Sequence, residues 1–260
     1  MEYGKAIINA LDSVLADLPT DTGILFSGGV DSSLLATISK RHSSPVLYTV
    51  GIEGAPDLLA AEKAATKLEL PWKPIVIDGD ELESHCMTLL KLISAENPVT
   101  VSFELPLQVV ASVSREKVII TGQGADELFA GFHKYLSMSL IELKRSLKSD
   151  LAKVIEQVMP LDHRIANHHG KEIIHPFLDH RMIDVANSIP VEDMIIGGVR
   201  KVPLRHAAEL MDLGSIASRE KKAAQYGSGI MKVLRERSRD RSLTIREYFK
   251  ELSLSNETIV

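Results

Sequence analysis

Cysteine is almost missing: Cys86 is the only one in 260 residues. An internal disulfide is impossible, and a thiolate zinc cage is excluded. One mid-chain thiol suits a reducing compartment, so a cytoplasmic location is expected. Cys86 itself reads as a small buried apolar side chain. Aromatic residues are scarce too, at 5%. They are not interleaved with basic residues, so stacking on nucleic-acid bases is not expected. No run of about 18 apolar residues occurs, and no membrane span is expected. Residues 1–16 carry Glu2, Lys5 and Asp12 among apolar positions, an amphipathic pattern unlike a secretory signal. There is no internal repeat and no low-complexity tract.

Hydrophobic residues make up 45% and charged residues 25%, as in ordinary folded proteins. The length allows one large domain or two small ones. The net charge of −5 is unevenly spread. Residues 1–199 hold 17 Lys/Arg against 27 Asp/Glu, whereas residues 200–250 hold 13 against 6. A basic segment on an acidic body suggests a polyanionic partner. A solvated helix face laced with i,i+4 pairs gives the same pattern.

Short apolar runs at 24–26, 46–50, 74–77 and 118–120 alternate with helical patterns at 32–41, 57–68 and 105–114. Such alternation predicts an α/β fold, a parallel sheet with flanking helices. After about residue 135 only helical spacing is convincing, at 138–158, 179–188, 203–212, 229–237 and 244–252. The chain thus reads as an α/β nucleotide core, about 20–135, followed by a helical C-terminal half, about 136–260. No flexible linker divides them, so one shared core is expected.

The strongest local signal is Ser27-Gly28-Gly29-Val30-Asp31-Ser32-Ser33, between a strand and a helix. Two glycines let backbone approach a ligand closely. The first amides of the following helix have no intrahelical partner, and its dipole favours an anion. Three serine hydroxyls add donors. Asp31 would repel phosphate unless a magnesium ion neutralised both.

This loop resembles the pyrophosphate loop of the ATP pyrophosphatases. It lacks the Gly-Lys-Ser/Thr ending of the Walker loop, which argues against kinase or GTPase chemistry. A second block, Thr121-Gly122-Gln123-Gly124-Ala125-Asp126-Glu127-Leu128-Phe129-Ala130-Gly131-Phe132, resembles the Ser-Gly-Glu-Gly-Ser/Ala-Asp-Glu-Leu/Val-Phe-Gly-Gly-Tyr block of the asparagine synthetase family's synthetase domain. Acids at the carboxyl end of a parallel strand would lie across the crevice from the first loop. Weaker similarities are Gly51-Ile52-Glu53-Gly54-Ala55-Pro56-Asp57-Leu58, Pro176-Phe177-Leu178-Asp179, and Lys201 with Leu204-Arg205 and downstream Arg219 and Lys221.

The resemblance implies ATP and Mg²⁺ as cofactors. Residues Ser27, Gly28, Gly29, Val30, Asp31, Ser32, Ser33, Gly122 and Gly124 would hold the nucleotide, with Val50 beside the adenine. Asp31 and Asp126 would hold the metal. Lys201 would meet the α-phosphate as charge develops there. The implied reaction adenylates a carboxylate, releases pyrophosphate and transfers an amine, with aspartate to asparagine as the leading expectation. Another carboxylate and amine pair, or a non-catalytic ATP-binding subunit, are the alternatives.

Two departures bear on the acceptor. Gln123 stands where the family pattern has Glu, and a neutral amide cannot take a proton from an amine. Ile174 stands in place of an Arg. The glutaminase domain is not expected, so nitrogen would come from ammonia, an amine or a separate glutaminase subunit. A homo-oligomer remains open. The histidines 163, 168, 169, 175 and 180 fit no standard zinc spacing.

Overall fold

The computed structural model describes residues 3–93, 97–218 and 227–254. Five parallel strands form one sheet: β1 (Asp21–Leu25), β2 (Ser44–Gly51), β3 (Trp72–Val76), β4 (Val118–Ile120) and β5 (Glu172–Ile174), in the order β3-β2-β1-β4-β5. The chain builds outward from β1 to β3, then returns to lay β4 on the other side of β1. That reversal opens a crevice beyond the carboxyl ends of β1 and β4. The expected α/β fold is present.

Helix α1 (Tyr3–Leu15) precedes β1, while α2 (Val30–Ser39), α3 (Pro56–Leu68), and the pair α4 (Gly79–Leu92) and α5 (Pro98–Val113) connect successive strands. Their starts follow local chemistry. Asp78 caps α4 in a reciprocal box with Glu81, and Asn97 caps α5 ahead of Pro98. The helix expected from residue 105 begins at Pro98 and runs through Pro106. The ring forfeits one backbone hydrogen bond there. Burial of Val101, Leu105, Val109 and Val110 offsets that loss, each side chain being worth about 1.5–3 kcal/mol when fully buried.

The second half departs from expectation. Besides helices it supplies β5, which pairs with β4 at the sheet edge, and a small hairpin, β6 (Ile195–Ile196) with β7 (Val199–Arg200). After a short α6 (Ala125–Leu128), α7 (Leu140–Lys153) passes through a π turn at Val154–Val158 into α8 (Met159–His168). Then come α9 (His180–Ser188), α10 (Val202–Leu210), α11 (Gly214–Ala217), α12 (Ile230–Asp240) and α13 (Ile245–Leu254). Two buried apolar clusters, one on each face of the sheet, both draw on residues before and after 135. No described helix is long and apolar enough to cross a membrane. Cys86 is fully buried in one of these clusters, and burial pushes its thiol well above the ordinary range.

Candidate active site

The loop 27–33 leaves β1 and enters α2. Gly28 has φ +66°, and a Cβ there would come within 2.7 Å of the Ala60 carbonyl carbon in α3. Only glycine fits both the left-handed backbone and the contact. Ser32 Oγ accepts from the Ser27 backbone N–H at 3.3 Å, which curls the loop over the start of α2. Gly29 is the N-cap of α2 and offers no side chain to its first amides, so those donors stay open to an anion. Ser33 Oγ is buried with no hydrogen-bond partner.

The turn 121–124 leaves β4 and lies against this loop. A Cβ on Gly122 would sit 3.5 Å from Asp31 Cβ. Asp126 follows in the first turn of α6. Opposite them, Lys201 stands between β7 and α10 with φ +57°, an uncommon conformation for a residue with a side chain. Its ammonium reaches Asp31 Oδ2 at 2.6 Å and Asp126 Oδ1 at 2.8 Å. Three residues spread over 170 positions thus meet at one point. Burial alone would depress the Lys201 ammonium. The facing charges of Asp126 and Asp31 outweigh it and hold the group above the ordinary lysine range. Lys201 therefore stays cationic at neutral pH.

Asp31 Oδ1 is buried and has no hydrogen-bond partner. A buried, unsatisfied carboxylate oxygen suits a hard cation. Among the described residues no group of three or more His, Cys, Asp or Glu could hold a metal. Asp31 and Asp126 offer two carboxylates, and magnesium commonly takes one or two and completes its shell with phosphates and water. Glu127, next in the chain, is buried; desolvation and then the Asp126 charge push it up to about 7.

The other expected residues fall into place unequally. Val50 is buried near the end of β2, where Thr49 Oγ1 donates to the Phe26 carbonyl at 2.7 Å and fastens that strand to the loop. Ile52, just beyond, donates to the Ser228 carbonyl at 3.0 Å, bringing the start of α12 over the crevice. Gln123 is half-buried at the crevice wall, and its side chain bonds to no described residue. Ile174 ends β5, where its carbonyl accepts from the Thr121 N–H at 3.1 Å. Arg219 and Lys221 lie outside the described residues.

Three supports lie in or beside the matched segments but carry no role that the sequence assigns. Arg200 donates to the Gly131 carbonyl, and Arg205 Nε donates to the Arg200 carbonyl at 2.8 Å, which braces Lys201 from behind. Phe129 and Phe177 meet edge to face with centroids 6.3 Å apart, clamping the α6 block to the Pro176–Leu178 turn. Gly131 is the third. A Cβ there would lie 1.7 Å from Asp126 Oδ1 and 2.2 Å from Lys201 Cε. Gly131→Ala should therefore displace both side chains and lower turnover by about 10²-fold. Steady-state rates alongside a thermal melt check this; wild-type turnover would mean that the two side chains tolerate the shift.

The chain matches a family model described as asparagine synthase over residues 10–162 and 142–257. It is similar to a putative glutamine-hydrolysing asparagine synthetase of Methanocaldococcus jannaschii, 32% identical over 251 residues, covering 82% of this chain and 46% of that protein. It is also similar to asparagine synthetase B of Escherichia coli, 27% identical, covering 84% of this chain and 43% of that protein. The chain thus spans less than half the length of these relatives. Among solved structures it is similar to an NH3-dependent NAD synthetase from Campylobacter jejuni. That match has 15% identity and a TM-score of 0.42, covering 99% of this chain and 95% of the other.

Proposed function

The chain belongs to the asparagine synthase family, and from that premise we propose that it is an ATP-dependent ligase that adenylates a carboxylate and then transfers an amine to it. One observation carries this reading above the others: a buried ammonium clasped by two carboxylates, beside an open helix N-terminus. A pure ATP-binding subunit has no need of that set.

In the first step a carboxylate oxygen attacks the α-phosphorus of ATP. The bond from that phosphorus to the bridging oxygen breaks, and pyrophosphate leaves carrying the electron pair. The open amides of α2, with the Ser27, Ser32 and Ser33 hydroxyls, hold the departing pyrophosphate. Lys201 faces the α-phosphate, where negative charge builds in the transition state. Asp31 and Asp126 would hold Mg²⁺, which supplies charge neutralisation of the phosphates when bound. In the second step an amine attacks the acyl carbon, AMP departs, and the amine sheds a proton to solvent. Gln123 can orient the reactants by hydrogen bonds but cannot accept that proton.

Aspartate with ammonia is the first pair to try. The departure at Gln123 favours a second reading, in which the nitrogen donor differs from ammonia. The experiment is ATP–pyrophosphate exchange with Mg²⁺ over a panel of carboxylates, followed by amide detection with ammonium and simple amines. Carboxylate-dependent exchange supports the proposal; ATP binding without exchange for any carboxylate contradicts it.

Position 123 has its own test. Ammonia is mostly ammonium at neutral pH, so with an amide here amide formation should rise with pH as free amine accumulates. Gln123→Glu should speed the second step near neutral pH by about 10²-fold, the low end of what a positioned base contributes. Identical pH profiles for both proteins would mean that position 123 takes no part in the chemistry.

A further inference from the structure

Behind the Gln123 turn lies a line of buried polar groups that the two-step mechanism does not use. The Gln123 backbone N–H donates to Thr121 Oγ1 at 3.4 Å. Thr121 Oγ1 is 2.7 Å from His175 Nδ1. His175 Nε2 is buried, has no hydrogen-bond partner, and lies 3.5 Å from Asp162 Oδ2 on α8. Asp162 in turn hydrogen-bonds Glu104 on α5. Thr121, His175, Asp162 and Glu104 are each less than a tenth exposed.

Thr121 Oγ1 accepts from the Gln123 N–H and has a second lone pair, so the direction of its bond with His175 Nδ1 is set by the tautomer of the ring. Burial, with a smaller push from the His163 ring, depresses His175 to about 4, so at neutral pH it is uncharged. An uncharged ring that accepts at Nδ1 carries its proton on Nε2, facing Asp162. Two hydrogen-bonded carboxyls need one proton between them, and burial together with the neighbouring carboxyl raises Glu104. Glu104 is then the donor and Asp162 the acceptor within that pair, while His175 Nε2, 3.5 Å from Asp162 Oδ2, makes no hydrogen bond to it. The charged and titratable groups turned toward this line are Asp162 and His163 from α8, Glu104 from α5 and His175 after β5.

Buried hydrogen bonds are strong and hold their members in one arrangement, and here they run from Gln123 through Thr121 to His175 Nδ1, ending at the unpartnered Nε2. Its exposed end is the backbone of Gln123, at the wall of the crevice. We infer that Thr121 and His175, backed by the buried Asp162–Glu104 pair, are positioning residues that fix the Gln123 turn for the reacting carboxyl. The inference rests on the proposed ligase reading for its kinetic consequence but not for its structural one.

The test uses paired variants of the full chain. Thr121→Val and His175→Leu break the chain; Thr121→Ser keeps the hydroxyl, and His175→Asn keeps an acceptor near the Nδ1 position. The two breaking variants should lower turnover about tenfold or more, with the KM for ATP within about twofold, and the two conservative variants should recover most of it. Amide hydrogen exchange at Gln123, measured by NMR, needs no activity. It should quicken by about tenfold in Thr121→Val and His175→Leu and stay slow in Thr121→Ser and His175→Asn. Equal exchange in all four folded variants would overturn the inference. So would losses in KM and turnover together that the conservative variants fail to recover. Wild-type protein without carboxylate-dependent exchange would sink the ligase reading alone, leaving the Gln123 hydrogen-exchange rates to decide the positioning role.

Discussion

Asp31→Asn and Asp126→Asn should each suppress pyrophosphate release by at least about 10³-fold while the protein stays folded. Each substitution keeps the shape of the side chain and removes one hard, charged oxygen donor from the proposed metal and triphosphate site. The fold should survive because Lys201 sits between two carboxylates, at 2.6 and 2.8 Å. Removing either charge still leaves the ammonium one partner. The burial of the two acids differs, with side-chain exposures of 10% for Asp31 and 39% for Asp126. Asp31→Asn should therefore shift the melting temperature more than Asp126→Asn. Release assays over a magnesium titration, with a melt of each variant, make the check. Wild-type rates in either variant would remove that residue from the metal site.

Lys201→Ala should lower turnover by about 10²-fold or more, with a smaller change in ATP affinity, because its charge matters most as the transition state forms. Stability should fall too. Deleting one partner of a buried ion pair commonly costs about 3–5 kcal/mol. The low end applies here, since Asp126 is partly open to solvent. The variant brings Asp31 and Asp126 face to face without a counter-ion. Added Mg²⁺ should then raise its melting temperature more than it raises that of the wild type. The lysine charge is held above its ordinary range, so the stability it contributes is complete at neutral pH and is lost only as pH rises into the alkaline range. A change confined to KM, with turnover intact, would limit Lys201 to ground-state binding.

Legibility in the sequence followed the range of the interactions. The loop 27–33 is local: its turn, its helix start and its donors sit within seven consecutive residues, so residue order alone announces it. The same holds for the turn 121–124 and Asp126. The pairing of Asp31 with Lys201 crosses 170 positions, and no spacing rule predicts it; resemblance supplied Lys201, and the fold supplied its partners. Strand β5 escaped notice because Glu172–Ile174 is three residues long, follows Gly170-Lys171 and runs into His175-Pro176. Its stability comes from pairing with β4, which no local pattern records. Helix α5 shows its helical pattern only from residue 105, yet it begins at Pro98 and carries Pro106 inside it against the local preference of proline. Tertiary burial of its apolar face overrode that local preference. The buried line from Thr121 to Glu104 was invisible for a different reason. Its members follow β4 and β5 or lie on α8 and α5, and each alone looks like an ordinary Thr, His, Asp or Glu.

Adenylation is the central claim, and oxygen tracing tests it most directly. A carboxylate substrate labelled with oxygen-18, aspartate first, is incubated with the protein, ATP, Mg²⁺ and an amine, and the AMP formed is analysed by mass spectrometry. Attack of the carboxylate on the α-phosphorus must leave one of its oxygens on AMP when the amine takes the acyl group. The expected result is AMP carrying one labelled oxygen for each amide formed. Amide formed alongside unlabelled AMP, or ADP in place of AMP, would contradict the account.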